Sequence, residues 1–231
     1  SAPVKLEFDW RDDQLAFLMA NDGDSFSRWE AGQTLAERLF KQLLATVAAG
    51  GELKLPETFV AAFRAVLKDH AADPAFKALM LTLPSEGEIL EMVEAADPAL
   101  IHQVRDFVLD ELAQVLRGEW REAYELNLTR DYKPQDAGKR SLKNRALWML
   151  NRLDDAWPAE MAAKQCLDAD NLTDQMGALL ALRDRDGEER DACFTAFAAR
   201  WNDDALVMDT FFSLIGGSQL QGTLHPVEAA L

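Results

Sequence analysis

The sequence is short of the residues and patterns that usually carry chemistry. Its three histidines, His70, His102 and His225, sit in no HExxH pattern and none has a second histidine one helical turn away. A helical zinc site needs two neutral imidazoles about one turn apart plus a third ligand, so that class of site is excluded. His102 follows the apolar Ile101 and reads as a surface or boundary side chain. Cysteine is limited to Cys166 and Cys193, without CxxC spacing, which fits two small core residues in a reducing compartment. There is no GxxxxGK[ST], GxGxxG or GxSxG string; Gly216-Gly217-Ser218 reads as a helix stop. No window approaches the roughly 18 apolar residues of a helical membrane span. Ser1-Ala2-Pro3-Val4 is neither charged nor a long apolar run, unlike a secretory leader, so a cytoplasmic location is expected. Asn127-Leu128-Thr129 and Asn171-Leu172-Thr173 match the glycosylation pattern, with no secretion signal beside them.

Positive charge is scarce as well. The 231 residues carry 24 basic and 40 acidic side chains, a net charge of −16, and such a surface repels phosphate backbones. The one local exception is Lys139-Arg140-Ser141-Leu142-Lys143-Asn144-Arg145. Leu142, Ala146, Leu147, Met149 and Leu150 make that segment a helix with one basic side, solvated or ion-paired. Neither nucleic acid nor a membrane is expected as a partner.

Strand patterning is nearly absent. Val4-Lys5-Leu6-Glu7-Phe8 alternates apolar and charged residues, but one strand cannot satisfy its own backbone groups. It predicts an extended segment over residues 1–10, either an arm lying on helices or a strand whose partners are in sequence outside this chain.

What the chain does contain is helix. The organising stretch runs from Asp24 to Val47. Phe26, Trp29, Ala36, Leu39, Phe40, Leu43, Leu44 and Val47 recur at the three- and four-residue steps of one helical face. Asp24 or Ser25 can cap it, Gly50-Gly51 stops it, and Trp29, Leu39 and Leu43 are the expected anchors. Before it, a short helix carries Leu15, Leu18 and Met19. After it, Pro56, Asp73-Pro74, Ser85-Glu86-Gly87-Glu88 and Asp97-Pro98 each mark a helix start, the third with the spacing of a capping box. A long helix with Ile101, Val104, Val108, Leu112, Val115 and Leu116 on one face is expected to kink at Gly118 before Trp120 and Tyr124. Tyr132-Lys133-Pro134 is a break. Further helices are predicted over 142–153, from Trp157-Pro158 to Cys166, over 176–182 behind Asn171 or Thr173, around Cys193, Phe194, Phe197 and Trp201, and from Leu206 to Ile215 behind Asp203 or Asp204. His225-Pro226 opens one more pattern, and the chain stops inside it.

The 48% hydrophobic content is ordinary for a globular protein, and the succession of helices predicts an all-α fold. We expect an irregular superhelical stack, HEAT- or ARM-like, of about ten to twelve helices without a fixed period. The expected organisation is residues 1–10 as a linker and 11–231 as one helical domain.

Carboxylates are so numerous that acidic pairs carry little information. Asp203-Asp204 is explained by helix capping and Glu91 with Glu94 by a solvated face. The six tryptophans, Trp10, Trp29, Trp120, Trp148, Trp157 and Trp201, read mostly as helix-face packing residues. No catalytic, cofactor-binding or metal-ligating residue emerges.

Five strings nevertheless recur in a known order: Ala2–Phe8 (APVKLEF), Asp24–Ala31 (DSFSRWEA), Leu81–Ser85 (LTLPS), Asn171–Asp174 (NLTD) and Ala205–Asp209 (ALVMD). In them the chain resembles the bacterial aminopeptidase N family, zinc-dependent alanyl aminopeptidases of the gluzincin class. The resemblance covers essentially the whole chain and corresponds to the first two-thirds or so of that family's C-terminal helical domain. It implies a β domain ahead of Val4–Phe8, helices continuing past Leu231, and zinc held upstream by the family's HExxH motif and its downstream Glu. The family's GAMEN-type substrate segment is also upstream, and its cavity-facing arginine helices fall past Leu231, so no site residue carries over. The implied role is a non-catalytic wall of the active-site chamber, with the catalytic domain and peptides as partners. The alternative is a free-standing acidic helical-repeat scaffold for other proteins.

Overall fold

The computed structural model describes residues 9–93, 97–129 and 131–220. The strand-like Val4–Phe8, Glu94 and the helix start at His225-Pro226 lie outside these residues. Among the described residues there are twelve α-helices, one 3-10 turn and no strand.

The chain forms two compact units. The first comprises residues 1–72 and 79–115, the second residues 73–78 and 116–231.

In the first unit α1 (Asp12–Asn21), α2 (Ser25–Ala48) and α3 (Glu57–Lys68) pack together, with α6 (Pro98–Val115) against α2 and α5 (Glu86–Glu91) against α6. α2 is the Asp24–Val47 helix read from sequence. Asp24 caps it, accepting from the Ser27 N–H at 2.8 Å. Its buried stripe is Ala31, Gly32, Leu35, Ala36, Leu39, Phe40, Leu43 and Leu44. The sequence reading placed this stripe one turn too early: Phe26 is 64% exposed, and Trp29 is half-buried with its ring 6.0 Å from that of Phe26. Burial starts at Ala31, and the β position of the next residue, Gly32, would lie 3.3 Å from Met19 Sδ of α1. The capping box at the head of α5 is present, with Glu88 N–H to Ser85 Oγ at 3.3 Å and Ser85 N–H to Glu88 Oε2 at 2.7 Å.

Two helix boundaries differ from expectation. Pro56 is the N-cap of α3, not its first helical residue. The long helix breaks before Gly118, at Leu116 (φ −106°, ψ 20°), whose side chain is completely buried. Gly118 sits inside the next helix, α7 (Arg117–Leu126).

The second unit holds α7, α8 (Ala137–Leu150), α9 (Ala156–Asp168), α10 (Leu172–Leu182), α11 (Glu188–Trp201) and α12 (Ala205–Gly216), together with the Pro74–Ala78 part of α4 (Pro74–Met80). α8 packs on α7 and α10, α9 on α10 and α11, and α11 on α12. α8 starts five residues ahead of Leu142, because the 3-10 turn Pro134–Asp136 runs straight into it. Two close approaches need glycine. A β-carbon at Gly138 would lie 2.9 Å from the Ala75 nitrogen, and one at Gly177 would lie 2.4 Å from Asn144 Cγ. Asn171 caps α10 through the Asp174 N–H (2.9 Å), and Asp204 caps α12 through Leu206 and Val207 N–H (both 3.2 Å). The turn after α8 leaves orphan carbonyls, and Arg185 donates to those of Asn151, Leu153 and Asp155 at 3.4, 2.6 and 2.9 Å.

Candidate functional site

Among the described residues, a cavity of about 530 Å³ lies in the second unit. Its lining includes Tyr124 of α7, Lys143 of α8, Met161 and Gln165 of α9, Asp170 and Asp174. Lys143 stands three and four residues before Ala146 and Leu147, on the apolar side of α8, and is 3% exposed. Asp174 reaches it from the first turn of α10, at 2.8 Å from Nζ. Asn171 also donates to Asp174 Oδ2 (3.1 Å). Gln165 Nε2 donates to Asn144 Oδ1 (2.8 Å) and to the Asp174 carbonyl (2.9 Å), which fixes the orientation of its amide. Gln165 Oε1 and Asp174 Oδ1 are buried with no partner among the described residues. Burying charge in this way is costly unless both partners are present.

Burial and then the nearby Asp174 charge push the Tyr124 hydroxyl up to about 12. A general acid or base works best near the operating pH, so Tyr124 is moved away from catalysis, not toward it. The cluster is chemically suited to holding three helices in register.

The sequence candidates are scattered. His70 is exposed in the turn after α3. His102, on α6, lies between Glu86 Oε1 (2.8 Å) and Asp106 Oδ2 (3.3 Å). The Glu86 hydrogen bond raises its pKa. The basic run on α8 is split. Lys139 pairs with Asp136 at 3.3 Å and Arg145 lies 5.4 Å from the Trp148 ring. Arg140 and Lys143, by contrast, are buried, Arg140 donating to the Lys133 carbonyl (2.8 Å) and stacking on Tyr132 at 4.6 Å. The buried pair at Lys143 was missed in the sequence, although a lysine on an apolar stripe was its signal. Asp204 caps, as read, and Glu91 is exposed at the end of α5. Trp120 is fully buried; the other five tryptophans are half-buried. Cys166 and Cys193 are free and buried. Among the described residues no group of three or more His, Cys, Asp or Glu side chains is placed to hold a metal ion, and no helix is long and apolar enough to cross a membrane.

Residues 12–231 match the family model described as "Domain of unknown function (DUF3458_C) ARM repeats". The chain belongs to this family. Curated relatives align along nearly its whole length. The chain is 37% identical over 233 residues to aminopeptidase N of Escherichia coli (strain K12), covering 100% of this chain and 27% of that protein. It is 36% identical over 220 residues to aminopeptidase N of Caulobacter vibrioides, covering 94% of this chain and 25% of that protein. The chain thus spans about a quarter of the length of these relatives. Among solved structures, an aminopeptidase A of Legionella pneumophila, crystallised in complex with aspartic acid, superposes with a TM-score of 0.81 at 23% identity, over 99% of this chain and 28% of that one. That likeness is one of fold. The all-α, ARM-like reading of the sequence agrees with both the helices and the family.

Proposed function

We propose that this chain is a non-catalytic part of the C-terminal helical domain of an aminopeptidase N. In the whole enzyme it walls the active-site chamber and limits peptide access, while an upstream zinc domain removes N-terminal residues through zinc-activated water. The observation that carries this reading is the similarity to aminopeptidase N along the entire chain but over only 27% of that relative. A stack of helices supports a wall role, because stacked repeats present wide concave surfaces. On this reading residues 1–10 are the linker from a preceding β domain and 11–231 belong to the helical domain. The catalytic domain is the intramolecular partner, peptides are the substrates, and the compartment is the cytoplasm, in keeping with the two free thiols.

The test is a peptidase assay on the purified chain with alanyl and leucyl coumarin amides, alongside the whole enzyme encoded at the same locus. The expected result is no fluorophore release and no bound zinc for the chain, with both present in the whole enzyme. Activity in the chain alone would sink the proposal. A gene without an upstream HExxH would replace it with the free-standing scaffold.

A further inference from the structure

The proposed function leaves two nucleophilic groups unused, and both lie in one gap of the second unit. Cys166, on α9, is 4% exposed and Cys193, on α11, is 0% exposed. Cys166 Sγ lies 3.8 Å from the Cys193 carbonyl oxygen, and Cys193 Sγ lies 3.8 Å from the Ala163 carbonyl oxygen. Ala163 is one turn before Cys166, and a helical side chain leans back over the preceding turn. Each sulfur thus lies against a carbonyl on the other cysteine's helix, within one turn of that cysteine. The neighbouring thiol lowers Cys166 and, together with burial, raises Cys193.

Each thiol alone would pass as a small apolar core residue. The pair is different, because two buried sulfurs enter one gap between α9 and α11, each against the other's helix. We propose that Cys166 and Cys193 are a dithiol modification site, converted by a peroxide into an intramolecular disulfide.

The Cys166 thiolate attacks one oxygen of hydrogen peroxide, the O–O bond breaks, and a sulfenic acid forms as hydroxide leaves. The Cys193 sulfur then attacks the Cys166 sulfur. The S–O bond breaks, the S–S bond forms, and the Cys193 proton leaves with the departing oxygen as water. Two thiols lose two electrons and two hydrogens, and one peroxide becomes two waters. The new bond ties α9 to α11 across a separation of 27 residues, the kind of loop whose closure restrains the unfolded chain. In a reducing compartment the bond is transient and reopened by cellular thiols.

The test exposes the folded, reduced chain to hydrogen peroxide, quenches it, blocks remaining thiols in denaturant, and measures intact mass and tryptic peptides. The expected result is a monomer about 2 Da lighter, with no alkylated cysteine, one dithiothreitol-sensitive peptide joining Cys166 to Cys193, and a higher Tm than the reduced form. Cys166→Ser and Cys193→Ala each remove the cross-linked peptide and the Tm rise. Two alkylatable thiols after treatment, sulfinic acid at one cysteine with the other free, or a cross-link formed only in chain first unfolded in urea would each overturn the proposal. The wild-type measurement decides the matter even if a variant fails to fold.

Discussion

Asp174 is the residue on which the second unit concentrates its electrostatics. Its side chain and that of Lys143 are 6% and 4% exposed at a separation of 2.8 Å. Asp174→Ala leaves Lys143 charged and unpaired, and we expect a loss of about 3–5 kcal/mol in urea unfolding. Replacing both, Lys143→Met with Asp174→Leu, is expected to recover most of that loss, since an apolar pair needs no counter-charge. A double variant as unstable as the single one would show that the pair is not what couples α8 to α10. Gly177 tests the same contact sterically. Gly177→Ala drives a methyl into Asn144, which holds Gln165 Nε2 and donates to the Thr173 carbonyl (3.3 Å). The expected cost is about 1–3 kcal/mol, read as a drop in the urea midpoint. An unchanged midpoint would mean that Asn144 moves aside freely. Lys143 left one trace in the sequence, its place on the apolar stripe of α8, but its partner Asp174 and the close approach at Gly177 left none. Both acquire their meaning from a neighbouring helix, which local spacing does not encode.

At the scale of the helix, the sequence was far more legible. Asp24, Ser85, Asn171 and Asp204 were all recognisable as start signals, and all four make the capping bond. Capping is readable because donor and acceptor lie within three residues of each other. The displaced stripe of α2 was not, since it depends on where α1 packs, and the break at Leu116 was not either. One inter-helix contact has a readable pH dependence. His102 on α6 is held above its ordinary pKa by the Glu86 hydrogen bond from α5, with Asp106 adding attraction and Arg105 opposing it. A raised folded-state pKa means that the extra stability is complete below the unfolded value near 6.5 and fades as pH rises through the folded one. The expected outcome is a Tm of the first unit that declines across that window in wild type and is flatter in His102→Gln. Parallel curves for the two proteins would refute the assignment to His102.

For the whole molecule, the net charge of −16 bears on the chamber-wall role proposed above. An acidic wall raises the local concentration of cationic peptide amino ends, and salt screens that attraction. We expect kcat/KM of the whole enzyme for small peptides to fall as ionic strength rises from low salt toward physiological, with kcat little changed; a flat kcat/KM would leave the charge with solubility alone. The division into two units has a different consequence, one of timing. The second unit takes residues 73–78 from the middle of the first, and Gly138 of α8 closes on Ala75 there. A ribosome delivers Ala75 roughly sixty residues before Gly138, a wait on the order of seconds at ~5–20 residues per second. Through that interval the Asp73–Ala78 segment has left the exit tunnel without the helix it packs on. The second unit also cannot be separated by one proteolytic cut: cleavage after Val115 strands its first six residues with the other piece.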